Sequence, residues 1–369
     1  MQNKARITVA ICCHNSAARI RPTLEHLLAQ TGASPNSWEV LLVDNGSTDN
    51  TVAMAKQIWT STDVPLRIVP EPRLGQMFAR IRAFREAAFE YVSFVDDDNW
   101  VCPNWISEVA RILSANPNVA ALGARGEPVF ETPAPAWFSG FQGCFAVGLQ
   151  WPEAGDVTAR RGFLWGAGLT IRKAAWEQII ALGFHSQLEG RRGGALSSGD
   201  DNEICQALRL AGWRLVLEPK LSYRHFLPAQ RLKWDYLRKI ITNFGTSSIL
   251  LDVYQWNFSE ANAPWHRRVA GHWLYPAASA AKALLVRPLA TIRVLSGRGV
   301  GHPAAYCVYF HYGRLRSALR MRGRYNVAFR SISECAELLK HGRQNAPENS
   351  VNAVEPALAG RLEMPLKNS

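Results

Sequence analysis

No run of this chain is apolar for the roughly 18 residues a membrane-spanning helix needs; the nearest, Trp273 to Val286, is shorter and carries Lys282. A transmembrane anchor is therefore not expected. There is no C-x-x-C pair either. The seven cysteines (Cys12, Cys13, Cys102, Cys144, Cys205, Cys307 and Cys335) are odd in number and scattered, with no accompanying histidine spacing that would make a zinc site. That usage fits a reducing compartment and excludes a disulfide scaffold. Internal repeats and low-complexity blocks are absent, and Met1 to Arg6 lead into a strand-like run without the apolar core of a signal peptide. A cytoplasmic location is the expectation.

Acidic residues are scarce in only one place. Residues 265–345 hold 14 Lys and Arg against 2 Asp and Glu, whereas residues 1–264 are nearly balanced at 26 against 25, so the net charge of +12 originates in one C-terminal segment. The 369 residues, 47% of them hydrophobic, suffice for a catalytic domain and a smaller appendage.

Residues up to about 126 alternate strand-like and helix-like patterns, which implies β-α-β units and a mostly parallel sheet flanked by helices, an α/β fold. Strands are expected at Ile7–Cys12, Val40–Val43, Leu66–Val69 and Tyr91–Val95, and helices at Ala17–Gln30, Asn50–Ile58 and Gly75–Ala88. Pro103 is expected to open the next helix at its first position. From Glu127 to Arg161 the periodicity dissolves into Pro, Gly and aromatic residues, which points to a functional stretch. Arg214–Leu217 reads as the last strand of this part, and residues beyond Trp234 read as helices with a polar tail from Gln344.

Chemistry concentrates in two acidic clusters. Asp96, Asp97 and Asp98 end the apolar run Tyr91–Val95, and Asp200–Asp201 follows much later. Adjacent carboxylates raise one another's pKa unless a cation neutralises them, and Mg²⁺ or Mn²⁺ is the natural partner for clustered oxygens. Asp201 opens a predicted helix, whose N-terminal dipole keeps a carboxylate ionised and able to accept a proton.

Taken in order, these motifs resemble the family 2 inverting glycosyltransferases, which use the nucleotide-diphospho-sugar-binding GT-A fold. The resemblance covers roughly residues 5 to 234. It rests on Thr8 to Asn15 for the opening strand, including Ala10 and Asn15, and on Glu39 to Asp49 for the second. Gly75 with Ala79-Arg80, then Val95 to Asn99, then Gly199 to Glu203 complete it. The resemblance implies that Asp44 contacts the nucleobase, Arg80 approaches the nucleotide and Asp201 is the catalytic base. It implies that Asp98 ligates the metal while Asp97 or Asp96 holds the ribose or a metal-bound water. His225 is similar to a family histidine that helps bind metal or diphosphate. Trp165 and Gly166 look like the segment lining the donor sugar, and Arg231, in the stretch Gln230 to Trp234, is a further candidate to reach the diphosphate.

Each residue also has a plainer reading: Asp44 as a turn residue, Arg80 as a solvated helix face, Asp200 or Asp201 as a cap, His225 and Trp165 as structure. The Gly- and Arg-rich segment Ser186–Ser198 reads as a lid or as a loose connection. The expected partners are a nucleotide-sugar donor and a saccharide or lipid-linked acceptor. Arg316 and Arg320 share one face of a helix beside Leu315 and Leu319, which suggests an anionic membrane surface at the inner face of the membrane, or else a helical cap on the catalytic domain. No nucleic-acid motif accompanies the basic segment, so nucleic acid is not an expected partner. The expected organisation is a catalytic domain over 1–234, a basic helical region over 235–343 and a tail over 344–369. A sugar nucleotidyltransferase would share the sheet and the metal, yet Ile11 to Ser16 lacks the Gly-rich phosphate loop of that class. A non-catalytic sugar-nucleotide or glycan-binding module is the reading from outside enzymology, and intact Asp98 and Asp201 argue against it.

Overall fold

The computed structural model describes residues 6–60, 62–188, 190, 198–258 and 264–344. Most of the candidate lid, residues 189 and 191–197, and nearly all of the expected tail lie outside the described residues.

The chain begins with β1 (Ile7–Cys13), α1 (Ile20–Leu28), β2 (Trp38–Asp44), α2 (Thr51–Ile58), β3 (Leu66–Pro70), α3 (Gln76–Glu86) and β4 (Tyr91–Phe94). The four strands form the expected parallel block, with β1 between β2 and β4 and β3 beyond β2. Burial on both faces explains the almost uninterrupted apolar runs of β1 and β2. Then follow β5 (Asn99–Val101), α4 (Trp105–Ala115), β6 (Val119–Phe130), β7 (Gly155–Asp156), β8 (Thr170–Arg172), α5 (Lys173–Ala181), α6 (Asp200–Leu210) and β9 (Arg214–Leu227). Among the described residues the sheet has nine strands in the order β3-β2-β1-β4-β8-β6-β9-β5, with β7 alongside β9.

The second half of this sheet departs from the sequence expectation. β8 is antiparallel to β4 and β6, and β5 and β7 are antiparallel to β9, while β6 and β9 run parallel. β6 extends to Phe130, into the stretch expected to be irregular. Its pattern is hidden by Gly123 and Gly126, where a Cβ would strike Leu164 and the Ala146 carbonyl respectively. β9 likewise continues ten residues past Leu217. Its pairing with β6 jumps from Gly123↔Leu217 to Arg125↔Ser222, so Glu218 to Leu221, with Pro219 among them, bulge out of the ladder. The helix after β5 starts at Trp105, two residues later than Pro103 suggested. Pro103 lies in the preceding turn, where its carbonyl accepts the Thr31 N–H at 2.8 Å.

The described residues after β9 are mainly helical: α7 (Trp234–Phe258), α8 (Pro264–Ala270), α9 (Leu274–Leu285), α10 (Pro288–Arg293) and the long α11 (Ala305–Gln344). These helices share the core of the sheet domain. Leu250, Val253, Tyr254, Tyr325 and Phe329 belong to the same buried cluster as Ile204 and Leu208 of α6, and the Tyr254 hydroxyl donates to Glu203 at 3.0 Å.

α7 and α11 cross backbone to backbone. A Cβ on Gly245 would collide with the Phe310 carbonyl, and one on Gly313 with the Thr242 carbonyl. Gly313→Ala is expected to lower the unfolding free energy by about 1–3 kcal/mol through overpacking. Gly323→Ala, on an open face of the same helix, is expected to leave it unchanged or raise it by up to about 1 kcal/mol. Urea denaturation midpoints of the two variants check this.

Candidate functional site

The strand connections gather distant residues at one edge. Because β8 is antiparallel to β4, residues that precede β8 sit beside those that follow β4, and Phe94 N–H donates to the Leu169 carbonyl at 2.8 Å. The segment that ends at Leu169 and includes Trp165 and Gly166 thereby lies beside the end of β4. On the other side, β5 pairs with β9 so that Asn99 lies opposite His225, and Phe226 N–H donates to the Asp98 carbonyl at 2.9 Å. The two acidic clusters lie close enough to act on the same groups: Asp96, Asp98 and Asp201 all raise the pKa of the buried Tyr223 hydroxyl, and Asp200, Asp201 and Asp96 all favour the charge on Arg80.

Asp97 and Asp98 are buried and each meets an arginine. Asp98 accepts from Arg231 Nη1 at 2.9 Å, and its Oδ1 lies 3.6 Å from His225 Nε2. His225 Nδ1 donates to the Phe145 carbonyl at 2.8 Å, which orients Nε2 toward Asp98. Burial opposes the charge on Arg231, but Asp98 more than offsets it, and the guanidinium stays firmly protonated. Asp97 accepts from Arg19 Nε at 2.9 Å and from the Ser16 hydroxyl. Burial and then Asp98 push the Asp97 carboxyl above the usual range, against Arg19. Asp96 is half-buried between the two clusters.

Across the edge, Gly199 turns the chain with φ 106° into α6, and Asp200 pairs with the buried Arg80 at 2.6 Å. Arg80 is thus an interior residue, not a solvated face. Asp201 accepts the Gly166 N–H on Oδ2 at 2.7 Å and its neighbour's N–H on Oδ1 at 2.8 Å. Burial, then Asp200, raises its carboxyl above the ordinary range, while Arg80 and the two N–H donors work the other way. A Cβ at Gly166 would meet the Arg80 guanidinium and the Asp201 Cβ, so a larger residue there would displace the buried Arg80 head group. Trp165 N–H donates to Gln150 Oε1 at 2.7 Å, and Trp165 lies against the Arg161 guanidinium.

The other sequence-predicted residues also make local contacts. Asp44 Oδ1 accepts the Ser47 N–H at 3.0 Å at the end of β2, so one oxygen closes the turn. Asp49 serves the start of α2, accepting the Thr51 N–H at 3.0 Å. Asn15, with φ 52°, uses its Oδ1 to hold Thr48 N–H at 2.8 Å and so fixes that turn. Ala10 lies within β1 and its side chain belongs to the core, away from the edge. Arg316 and Arg320 are exposed on α11, but Arg314 between α7 and α11 is buried against Asp252 at 2.6 Å.

Sequence reasoning did not single out Arg19, Ser16, Asn45, Arg161 or Tyr223. Asn45 spans β2 and the loop before α3: its amide donates to the Glu71 and Arg73 carbonyls and accepts the Gly75 N–H, at 2.7–2.9 Å. Arg161 is half-buried near Asp201; burial lowers its pKa to about 10, Asp201 works the other way, and its Nε has no hydrogen-bond partner. An Arg close to strand ends was the available signal for Arg19; nothing in the pattern marks Arg161.

Among the described residues no group of three or more His, Cys, Asp or Glu side chains converges as a protein-only metal cage. The pair Asp98 and His225 nonetheless suits a cation that takes its remaining ligands from a phosphate group and water, as Mg²⁺ commonly does. His225 fits because its second nitrogen is already held by a backbone carbonyl.

Residues 8–156 match the family described as Glycosyl transferase family 2. The chain is 32% identical over 104 residues to the protein named Uncharacterized glycosyltransferase YibD of Escherichia coli (strain K12), covering 28% of this chain and 29% of that one. It is 28% identical over 110 residues to Dodecaprenyl-phosphate galacturonate synthase of Rhizobium johnstonii, covering 28% and 32%. The matched stretch therefore spans about three-tenths of the length of these curated relatives. Among solved structures, the Mannosyltransferase PcManGT from Pyrobaculum calidifontis, in complex with GDP-Man and Mn²⁺, superposes with a TM-score of 0.55 at 19% identity. It covers 86% of this chain and 88% of that one. That likeness speaks for the GT-A fold.

Asp201 gives a pH test. Its folded-state value lies above the unfolded one, about 4, so the stability it contributes is complete below the unfolded value and is lost as pH rises through the folded one. Asp201→Asn has no such loss. Its melting temperature relative to the parent is expected to climb across that window in metal-free thermal melts; a difference independent of pH contradicts the burial account.

Proposed function

We propose that this chain, whose residues 8–156 match glycosyl transferase family 2, is a metal-dependent inverting glycosyltransferase that moves a sugar from a nucleoside-diphosphate donor to a hydroxyl. The observation that carries this reading is the single edge shared by Asp98 with His225 and by Asp201 with Gly166. Residues 1–234 are assigned to transfer and 235–343 to a helical extension. The acceptor is a saccharide or lipid-linked hydroxyl, and the cationic helices beyond residue 264 would meet an anionic membrane surface.

Asp98 and His225 would hold Mg²⁺ or Mn²⁺, which supplies charge neutralisation for the diphosphate leaving group. Arg231, now on Asp98, has planar N–H groups that would donate to diphosphate oxygens when the sugar nucleotide binds. The free oxygen of Asp44 suits the N–H of a base. Asp97, fixed by Arg19 and Ser16, and Asp96 suit ribose hydroxyls.

Asp201 accepts the proton of the acceptor hydroxyl as that oxygen attacks the anomeric carbon opposite the diphosphate, and the configuration inverts. Two features make it competent. Its raised pKa strengthens it as a base, and the Gly166 and Asn202 N–H groups fix its plane. Arg80 spends its charge on Asp200, so Asp201 is not locked in a short ion pair.

Asp201→Asn is expected to lower kcat by about 10²–10⁴-fold while donor Kd by calorimetry stays within a few-fold of the parent. Full turnover by that variant refutes the base assignment. In a second test, a nucleotide-sugar panel with Mn²⁺ is expected to raise the melting temperature of the parent. Asp98→Asn with His225→Gln is expected to abolish the metal-dependent part of that rise and leave a metal-independent part.

A further inference from the structure

The basic C-terminal segment contains an apolar corner that the core does not use. α9 ends at Leu285 and α10 begins at Pro288. Across this junction Leu285 is 74% exposed, Val286 68%, Leu289 83% and Ile292 66%, among the most exposed large apolar side chains of the described residues. The corner is well built. The Thr291 hydroxyl donates to the Leu284 carbonyl at 2.8 Å, and Thr291 N–H to the Arg287 carbonyl at 2.9 Å. A loose surface loop would not need these bonds.

Charge surrounds this tip with one sign. Lys282, Arg287, Arg293 and Arg298 are all exposed, and from residue 265 to 333 the sequence contains no Asp or Glu. Exposed leucines amid cations and without a single carboxylate suit the boundary between acyl chains and anionic headgroups. A protein partner would need a matching acidic apolar groove, and a second copy of this chain would bring cations against cations. The corner is also rooted near the active edge. Buried Val294 sits in one cluster with Phe145, whose carbonyl holds His225, and with Leu227 at the end of β9.

We propose that the α9–α10 corner is the element by which this chain docks on an anionic bilayer, inserting Leu285, Val286, Leu289 and Ile292 at headgroup depth. This rests on the membrane reading above and assigns it to a surface other than the Arg316 and Arg320 face of α11. Docking there would turn the side of the domain that carries His225 toward the bilayer, where a lipid-linked acceptor resides.

The test uses the full chain and vesicles of phosphatidylcholine with or without phosphatidylglycerol. The parent is expected to float with the anionic vesicles and to be released by high salt. Leu289→Ser with Ile292→Ser is expected to weaken partition about tenfold or more, with unchanged thermal unfolding. Ile180→Ser, an exposed apolar residue on α5, is expected to partition like the parent. Turnover on a soluble acceptor is expected to be equal in all three proteins, so loss of transfer and loss of docking are read separately. If the double variant floats like the parent, the corner is not the docking element although the membrane reading stands. If the parent floats on neither vesicle, both fall. If sedimentation without vesicles shows a parent dimer that the double variant lacks, the corner is a self-association surface and the proposal is overturned.

Discussion

Buried carboxylates at the end of a parallel sheet are the constraint around which this molecule is arranged. Ionised carboxylates in a low-dielectric interior are costly unless cations and N–H donors meet them. Here Asp97 has Arg19, Asp98 has Arg231, and Asp200 has Arg80. Each arginine comes from a different element, so the pairs also tie α1, α3 and the turn after β9 to the same edge. The backbone departs from ordinary geometry at that edge, at Asn15, Gly75 and Gly199, where the chain must turn sharply to bring these groups together.

The arrangement treats the two acidic clusters differently. Asp98 is held by a guanidinium and faces an imidazole. Asp201 is held by two backbone N–H groups, which have fixed geometry and no net charge to neutralise it. Under the proposed function, one carboxylate would receive a cation and the other a proton. Burial reinforces the second role by raising the Asp201 carboxyl, and the buried Arg80 keeps that rise in check.

The C-terminal helices do more than cover the sheet. Tyr254 of α7 reaches Glu203 in α6, and Arg314 of α11 reaches Asp252 in α7, so the helix that begins with Asp200 and Asp201 is buttressed from outside the strands. The glycine contacts between α7 and α11 let that buttress lie close. What remains outward is a cationic surface with its apolar corner.

The sequence by itself determined the parallel block β1 to β4, because strands buried on both faces must be nearly continuous runs of apolar residues. It also marked the acidic triplet and Asp200-Asp201, because carboxylates at the end of such a run have no packing explanation. It left β6 and the far part of β9 illegible, since glycines at close backbone contacts and a proline bulge erase periodicity. Only the tertiary structure decided that the antiparallel pairing of β8 and β5 carries Gly166 to Asp201 and His225 to Asp98. It alone turned Asn15 to holding a turn and Ala10 to the core, and exposed the α9–α10 corner. Register between strands distant in sequence is set by how whole layers pack, and no local pattern of residues encodes it.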